Sequence, residues 1–495
     1  MKDYERQYYI GAHNLCGYNS CMFIDRHEEL AFLNSLLIRK KPGPGQMILL
    51  YGRRRVGKTA LLHHWAQQSG LPYTYWVAGK ESAALQRRSF FARLIEMPEE
   101  QATAFDSWSA LWQWFAPRFA RDEQKRILIL DELSYASEAD PAMLSALQHA
   151  WDQHLKDSNL ILALCGSQVR TIEGLMRQQS PLFGRFTGQW HLQPMPFSCL
   201  KEFFPKWSVE ERVAIYSIVG GVPAYLEWLD ADRRLVENIR DVMLSPGSMF
   251  MAEPTLLLYD ELRDLQTYLA ILQAISNGHH TVSDIGKACL LGPTALSSSL
   301  ARLQELRFIE RRLPATLTTA QQRTSKQGRY HLADPYFRFY FRFLLPHQKS
   351  LLRSEETLTH IQNELRAFVA LGFEELCRQW LAQQARQGKL PFIADAIGSH
   401  WSRQVQVDVV AIDWESRQIL LGECKWGTDR VDRQVVRELI EQKAPHVRSE
   451  LPNHGQGWTF HFALFSRAGF TEAALAELKI RDGLAVDLMK LDEGL

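Results

Sequence analysis

Residues 47–62 read MILLYGRRRVGKTALL: an apolar run of strand length, a G-x-x-x-x-G-K-T loop from Gly52 to Thr59, and a helix-like continuation through Leu61, Leu62 and Trp65. A buried strand feeding directly into a helix through a glycine loop belongs to a parallel α/β sheet. In that order the successive backbone N–H groups and the helix N-terminus point at one anion, while Gly52 and Gly57 permit the tight wrap. Lys58 is expected to reach the β- and γ-phosphates of a nucleoside triphosphate, ATP by preference, and Thr59 to hold Mg²⁺. The nucleotide-binding positions are Gly52, Arg53, Gly57, Lys58, Thr59 and Ala60; the side chains of Arg53, Arg54 and Arg55 carry no assigned contact. A glycine turn with a surface lysine would need neither the strand before it nor the helix after it.

Phosphoryl transfer to water also needs a carboxylate at the end of a neighbouring buried strand, and residues 127–132 supply ILILDE. Asp131 is expected to hold the Mg²⁺ water shell and Glu132 to orient or deprotonate the attacking water. A third apolar run, Leu160 to Cys165, ends in Gly166, Ser167 and Gln168. Ser167 is the candidate for sensing the γ-phosphate or the attacking water. Further on, SPLFGR puts Arg185 in a glycine-containing loop, as an arginine finger or as an ordinary surface charge. A finger acting in trans would imply a homo-oligomer.

From Tyr268 to Phe308 apolar spacing is helical, with breaks at Gly278 and at Gly292–Pro293. Thr281 or Ser283 can cap the second of three short helices, and a hairpin follows, as in a helix-turn-helix with a wing. Ser297, Ser298, Ser299, Arg302 and Arg307 on the third helix, with Arg311, Arg312, Arg323, Lys326 and Arg329 near the wing, form a moderate basic footprint. It suits DNA or packing against protein, and the pattern does not choose. The aromatic crowd Tyr336, Phe337, Phe339, Tyr340, Phe341 and Phe343 is expected to be core and not a base-stacking platform.

Residues 404–426, QVQVDVVAIDWESRQILLGECKW, read as two strands joined by a polar turn. Strict alternation puts Asp408 on one face with Gln406 and Val410, and Glu423 with Lys425 on one face of the second strand. Two carboxylates and an ammonium suit metal-dependent phosphodiester cleavage, with Mg²⁺ or Mn²⁺ on the acids, and the spacing fits a PD-(D/E)XK nuclease. E-x-K by itself means little, because Glu123 with Lys125, Glu441 with Lys443 and Glu477 with Lys479 repeat it. Only Glu423 and Lys425 end an apolar strand. The following segment, DRVDRQVVRELIEQK, carries Arg430, Arg433, Arg437 and Lys443, either for backbone phosphates or as a solvated face.

Taken together, FIDRHEEL (Phe23 to Leu30), GRRRVGKT, LILDE, CGS, SPLFGR and GGVPAYL (Gly220 to Leu226) make the chain resemble bacterial and archaeal P-loop ATPases of the AAA-like and STAND type, with a winged helix and a restriction-endonuclease-like tail. The resemblance runs from about residue 22 onward. It implies an N-terminal extension over 1–21, an ATPase domain over 22–195, a helical lid over 196–262, a winged helix over 263–346 and a nuclease-like α/β domain over 347–495. It also implies that Glu374, or the adjacent Glu375, joins Asp408 and Glu423 at the metal; a Val407–Asp408 pair stands where a proline–aspartate pair might.

Composition bounds these readings. Apolar residues make up 46% and charged residues 23% of 495, the balance of a folded globular chain of more than one domain. A net charge of +1 means that nucleic-acid binding must come from local patches. Seven scattered cysteines without a C-x-x-C pair argue against a disulfide framework or a zinc knuckle and fit a reducing cytoplasm. The absence of signal-like and membrane-length apolar runs points the same way. The expectation is an ATPase that controls a DNA-cutting tail, with a nucleotide switch or scaffold as the alternative. A place in mobile-element or phage defence is implied by the resemblance alone.

Overall fold

The computed structural model describes residues 23–38, 45–262, 264–347 and 354–495; the extension expected over 1–21 lies outside them. The chain divides into two compact units, residues 1–193 and 194–495.

The first unit is built on β1 (Gln46–Tyr51), β2 (Tyr73–Val77), β3 (Arg126–Asp131), β4 (Leu160–Gly166) and β5 (Gly188–His191). They lie in the order β2-β3-β4-β1-β5, all parallel. Every residue of β1 and β4 is buried, which is why both read as unbroken apolar runs. Ile48 and Leu50 face Leu61, Leu62 and Trp65 of the helix Lys58–Gln68. Met47 and Leu49 face the opposite side with Trp108, Trp112 and Phe115 of the helix Trp108–Ala120. Covered on both faces, the sheet leaves only its strand ends free for chemistry. The order matters because β4 sits between the strand feeding the glycine loop and the strand ending in Asp131.

The second unit opens with helices that include Val209–Val219, whose first turn is closed by a reciprocal Ser208–Glu211 capping box. The helices Leu265–Ser276, Val282–Cys289 and Pro293–Glu305 follow, then the antiparallel hairpin β6 (Ile309–Arg312) and β7 (Arg329–Leu332). Thr281 caps the second of the three helices by accepting from the Asp284 N–H. Next come the buried aromatic turns from Pro335 to Leu344 and the 33-residue helix Ser354–Arg386. A five-stranded sheet completes the unit: β8 (Ala396–Trp401), β9 (Gln406–Asp413), β10 (Gln418–Lys425), β11 (Thr459–Ser466) and β12 (Leu484–Asp487). Its order is β12-β11-β10-β9-β8, with β8, β9 and β10 antiparallel and β10, β11 and β12 parallel.

One apolar core links the successive parts of this unit, while a second, with Val407, Val410, Ile412, Leu421 and Leu464, fills the other face of its sheet. The first joins Ile215 and Tyr225, the winged-helix residues Leu272 and Leu296, Phe373 and Leu376 of the long helix, and the sheet residues Val409, Ala411, Leu420 and Phe465. Residues of the expected lid, winged helix and tail all contribute to the first of these cores. Tyr336, Phe337, Phe339, Tyr340, Phe341 and Phe343 lie at the heart of that core, each at most 1% exposed.

Candidate functional site

The glycine loop leaves β1 at Tyr51 under tight steric rule. A Cβ on Gly52 would lie 2.4 Å from the Leu192 carbonyl oxygen, and Gly57 takes φ 89°, open to glycine and strained for other residues. Lys58 is buried and donates to the carbonyls of Gly52 and Arg53, each at 3.0 Å, so the ammonium is held inside the loop. Thr59 and Ala60 open the helix on its exposed side. Arg26, in the FIDRHEEL segment, donates to the Val56 carbonyl at 2.9 Å and to Glu29 at 2.9 Å, bracing the loop from outside. Sequence spacing gave no sign of that brace, nor of the Arg54–Tyr135 hydrogen bond at 2.7 Å.

The end of β3 stands opposite. Thr59 donates to Asp131 Oδ2 at 2.8 Å, the Tyr75 hydroxyl donates to the same oxygen, and the Glu132 N–H donates to Oδ1 at 2.9 Å. Burial, then the Asp131 charge, push the Tyr75 hydroxyl far above its ordinary range, so it remains a donor. Glu132 sits at φ 50°, ψ 41°, a left-handed conformation that a non-glycine residue adopts at some cost. Its carboxylate accepts from both the N–H and the hydroxyl of Ser167, at 3.1 and 2.9 Å. The strand order explains the contact, because β4 delivers Ser167 beside β3. A hydroxyl and a carboxylate at hydrogen-bond distance are hard oxygen donors, so Thr59 and Asp131 fit Mg²⁺.

Arg185 is held elsewhere. It pairs in bidentate fashion with Asp152 at 2.9 and 2.7 Å and donates to the carbonyls of Pro181 and Phe183. The structure does not bring it to Asp131, Glu132 or Ser167. Action as a finger would first require those bonds to break.

In the second unit, the strand pairing corrects the expected alternation. His400 pairs with Val407 and Gly398 with Val410, so two residues of β9, Asp408 and Val409, oppose the single Ser399 of β8. This bulge puts Val407 on the same side as Val410 and Ile412. Asp408 therefore does not share a face with both Gln406 and Val410, because the extra residue re-aims it. Its Oδ2 accepts the Cys424 N–H at 3.0 Å, tying it to β10 between Glu423 and Lys425.

Glu423 is buried, with Lys425 Nζ at 2.9 Å on Oε1 and Lys443 Nζ at 2.7 Å on Oε2. Glu374 faces Arg378 at 3.8 Å, and Glu375 accepts from Arg378 at 2.9 Å. Burial, then the nearby Asp408 charge, push the Glu374 carboxyl up to about 7, while burial and then Glu423 raise Asp408. Glu374, Asp408 and Glu423 thus share one electrostatic field. They do not form a ready cage: among the described residues, no group of three or more His, Cys, Asp and Glu side chains is placed to hold a metal ion. Glu374 is turned to Arg378, Glu423 to Lys425 and Lys443, and Asp408 to a backbone amide. Burial has concentrated carboxylates here whose charges repel one another.

The winged-helix footprint is largely spent within the chain. Arg302 pairs with Glu305 at 3.0 Å, Arg311 donates to the Ser325 carbonyl at 2.6 Å, and Arg312 lies 3.1 Å from Glu375. The loop between β6 and β7 lies along β8. The Ala315 N–H donates to Ser399 at 2.9 Å, Thr316 bonds His400 at 2.7 Å, and Trp401 donates to the Gln327 carbonyl at 2.9 Å. Covering an edge strand in this way removes a site of unwanted pairing. Of the two uses left open by the sequence, the wing is committed to protein packing here, while Thr294, Ser297, Ser298 and Ala301 keep one helix face exposed.

The glycine loop, the parallel strand order and the Asp131–Glu132 end of β3 define a P-loop ATPase domain. A family model described as an ATPase domain predominantly from Archaea matches residues 23–229, and one described as archaeal and bacterial proteins of unknown function matches residues 340–439. The uncharacterized protein MJECL04 of Methanocaldococcus jannaschii is 31% identical over 432 residues, covering 85% of this chain and 92% of that one. The chain belongs to the family of that archaeal protein. Among solved structures it is similar to the Walker-type ATPase PABY2304 of Pyrococcus abyssi, at 19% identity, 64% and 95% coverage and a TM-score of 0.43. It is also similar to the Aeropyrum pernix ORC2 protein in its ADPNP and ADP complexes, at 13% identity, 70% and 97% coverage and a TM-score of 0.44. The assignment as an ATP-binding, ATP-hydrolysing domain rests on the family match and on this chain's own loop and strand ends. No helix among the described residues is long and apolar enough to cross a membrane.

Proposed function

We propose that this chain is an ATP-hydrolysing protein whose nucleotide state controls a metal-dependent, DNA-cutting tail. Lys58 and the loop amides would bind the phosphates, Thr59 and Asp131 the Mg²⁺, and Glu132, held by Ser167, would orient the attacking water. In the tail, Asp408 and Glu423, with Glu374 beside them, would hold Mg²⁺ or Mn²⁺. The bound cation would supply a Lewis acid and an activated water, and Lys425 would steady the charge developing on the phosphate. The observation that carries this reading is the meeting of half-buried Asp408, buried Glu423 and partly exposed Lys425 where β9 and β10 run side by side, with Glu374 raising the local negative field. Purified protein should cut DNA with Mg²⁺ or Mn²⁺, and Asp408→Ala should not. Intact DNA across single-stranded, duplex and branched substrates would remove the nuclease from the account.

A second reading is favoured by one particular observation: Lys425 and Lys443 both engage Glu423. On that reading the tail is a structural or nucleic-acid-binding module and the whole chain a nucleotide switch. Self-association, a trans role for Arg185, a cytoplasmic setting and a part in mobile-element or phage defence belong with these proposals, and the resemblance to STAND-type ATPases is their support.

A further inference from the structure

Glu375 does not join the acidic group beside it. Its Oε2 lies 2.9 Å from Arg378 Nη2 and 3.1 Å from Arg312 Nη2, and Arg312 ends β6 in the winged-helix hairpin. Arg378 Nη1 in turn donates to the Asp408 carbonyl oxygen at 2.9 Å and lies 3.8 Å from Glu374 Oε2. A continuous line of charge-assisted contacts therefore runs from the winged helix through the long helix to the bulge: Arg312, Glu375, Arg378, Asp408.

Each link has a physical reason to hold. A bulge interrupts the ladder and leaves a backbone carbonyl in need of a donor, and Arg378 is that donor at Asp408. The Arg378 side chain is only 12% exposed, so leaving it half-paired is costly. On the other side of the same bulge, Ser399 accepts the Ala315 N–H from the loop that follows β6. The winged helix thus grips the bulge twice, once by backbone across β8 and once by charge through Glu375.

We propose that Arg312 and Glu375 are positioning residues for the acidic site. They fix Arg378, Arg378 fixes the Asp408 bulge, and the seating of the wing on β8 and the placement of Asp408 are one linked state. Whatever lifts the wing from β8 slackens Asp408. Only the metal-binding arm of the test below rests on the nuclease reading.

The test uses the full chain as wild type, Arg312→Gln, Glu375→Gln, the double variant and Arg312→Lys. Hydrogen exchange without metal follows the Cys424 amide, which donates to Asp408. Each Gln variant should speed that exchange by about threefold or more, the double variant should add nothing to the larger single effect, and Arg312→Lys should restore most of the protection. Unchanged exchange in both single variants, or simply multiplying effects in the double, would overturn the proposal. In parallel, Mn²⁺ is titrated by electron paramagnetic resonance, with ATP hydrolysis as the check on folding. Arg312→Gln should weaken Mn²⁺ binding by about tenfold while ATP hydrolysis stays at the wild-type rate. If wild type binds no Mn²⁺, the metal reading fails and the exchange result still decides the linkage. If wild type binds and Arg312→Gln binds equally, the linkage fails.

Discussion

The two candidate sites hold their acids by opposite means. At the ATP site, Asp131 is 2% exposed and is held by neutral donors: a threonine hydroxyl, a tyrosine hydroxyl and a backbone amide. At the tail, Asp408 also takes an amide, but Glu423 is shared by two lysines and Glu374 lies against an arginine. Hydroxyls and amides set by a parallel sheet need only small turns to admit a cation. Buried ion pairs must be traded for new partners, and that exchange is where control can act. The comparison predicts that substitutions at the ATP site change chemistry with little change in stability, while those at the tail change both.

The largest effect should come from Lys58→Ala. ATP hydrolysis should fall by about 100-fold or more, with the thermal midpoint hardly moved, because among the described residues the lysine bonds to two loop carbonyls. A large loss of stability would break the contrast from the ATP side. Next, Glu423→Ala should destabilise the protein by about 2 kcal/mol in chemical denaturation. That is less than for a fully buried pair, because Lys425 and Lys443 are 39% and 20% exposed.

A pH measurement sharpens the same contrast. The folded value of Glu374, about 7, lies above its ordinary 4.5, so the folded state prefers the protonated form. Stability from this group is fully present below about 4.5 and is lost as pH rises through about 7. Glu374→Gln with a chelator present should therefore gain on the order of 3 kcal/mol over wild type at pH 8 and nothing at pH 4. An equal gain at both would show that the carboxyl is not raised. The smallest effect should be at Tyr75→Phe. Loss of one of three donors to Asp131 should raise the Mg²⁺ needed for half-maximal hydrolysis about threefold while nucleotide binding is unchanged.

The difference between the sites also explains what could be read from the sequence. Gly52 to Thr59 and the strand ending in Asp131 are contiguous motifs whose spacing encodes their geometry, and Ser167 follows from where an apolar run stops. The Arg185–Asp152 pair could not be read, because the two residues lie 33 apart with no pattern joining them. The tail's residue types were legible at the ends of apolar strands, but Asp408's direction was not. A bulge is set by pairing with β8, and a period-two reading of β9 alone contains no trace of it. The wing was legible as a hairpin and its contact with β8 was not, since polar loop residues such as Thr316 and Gln327 look alike facing solvent or an edge strand. Local punctuation marks the helices of the expected lid, winged helix and tail. It does not reveal a core that Tyr336 and Phe373 complete from distant positions.

The central claim is that ATP at Lys58 governs chemistry at Asp408. It is tested most directly by measuring DNA cleavage for wild type, Lys58→Ala and Asp408→Ala, each with Mn²⁺, in the presence and absence of ATP. The account predicts that ATP changes the wild-type rate, that Lys58→Ala cuts at one rate regardless of ATP, and that Asp408→Ala does not cut. Cleavage by Lys58→Ala with the full wild-type response to ATP would contradict it.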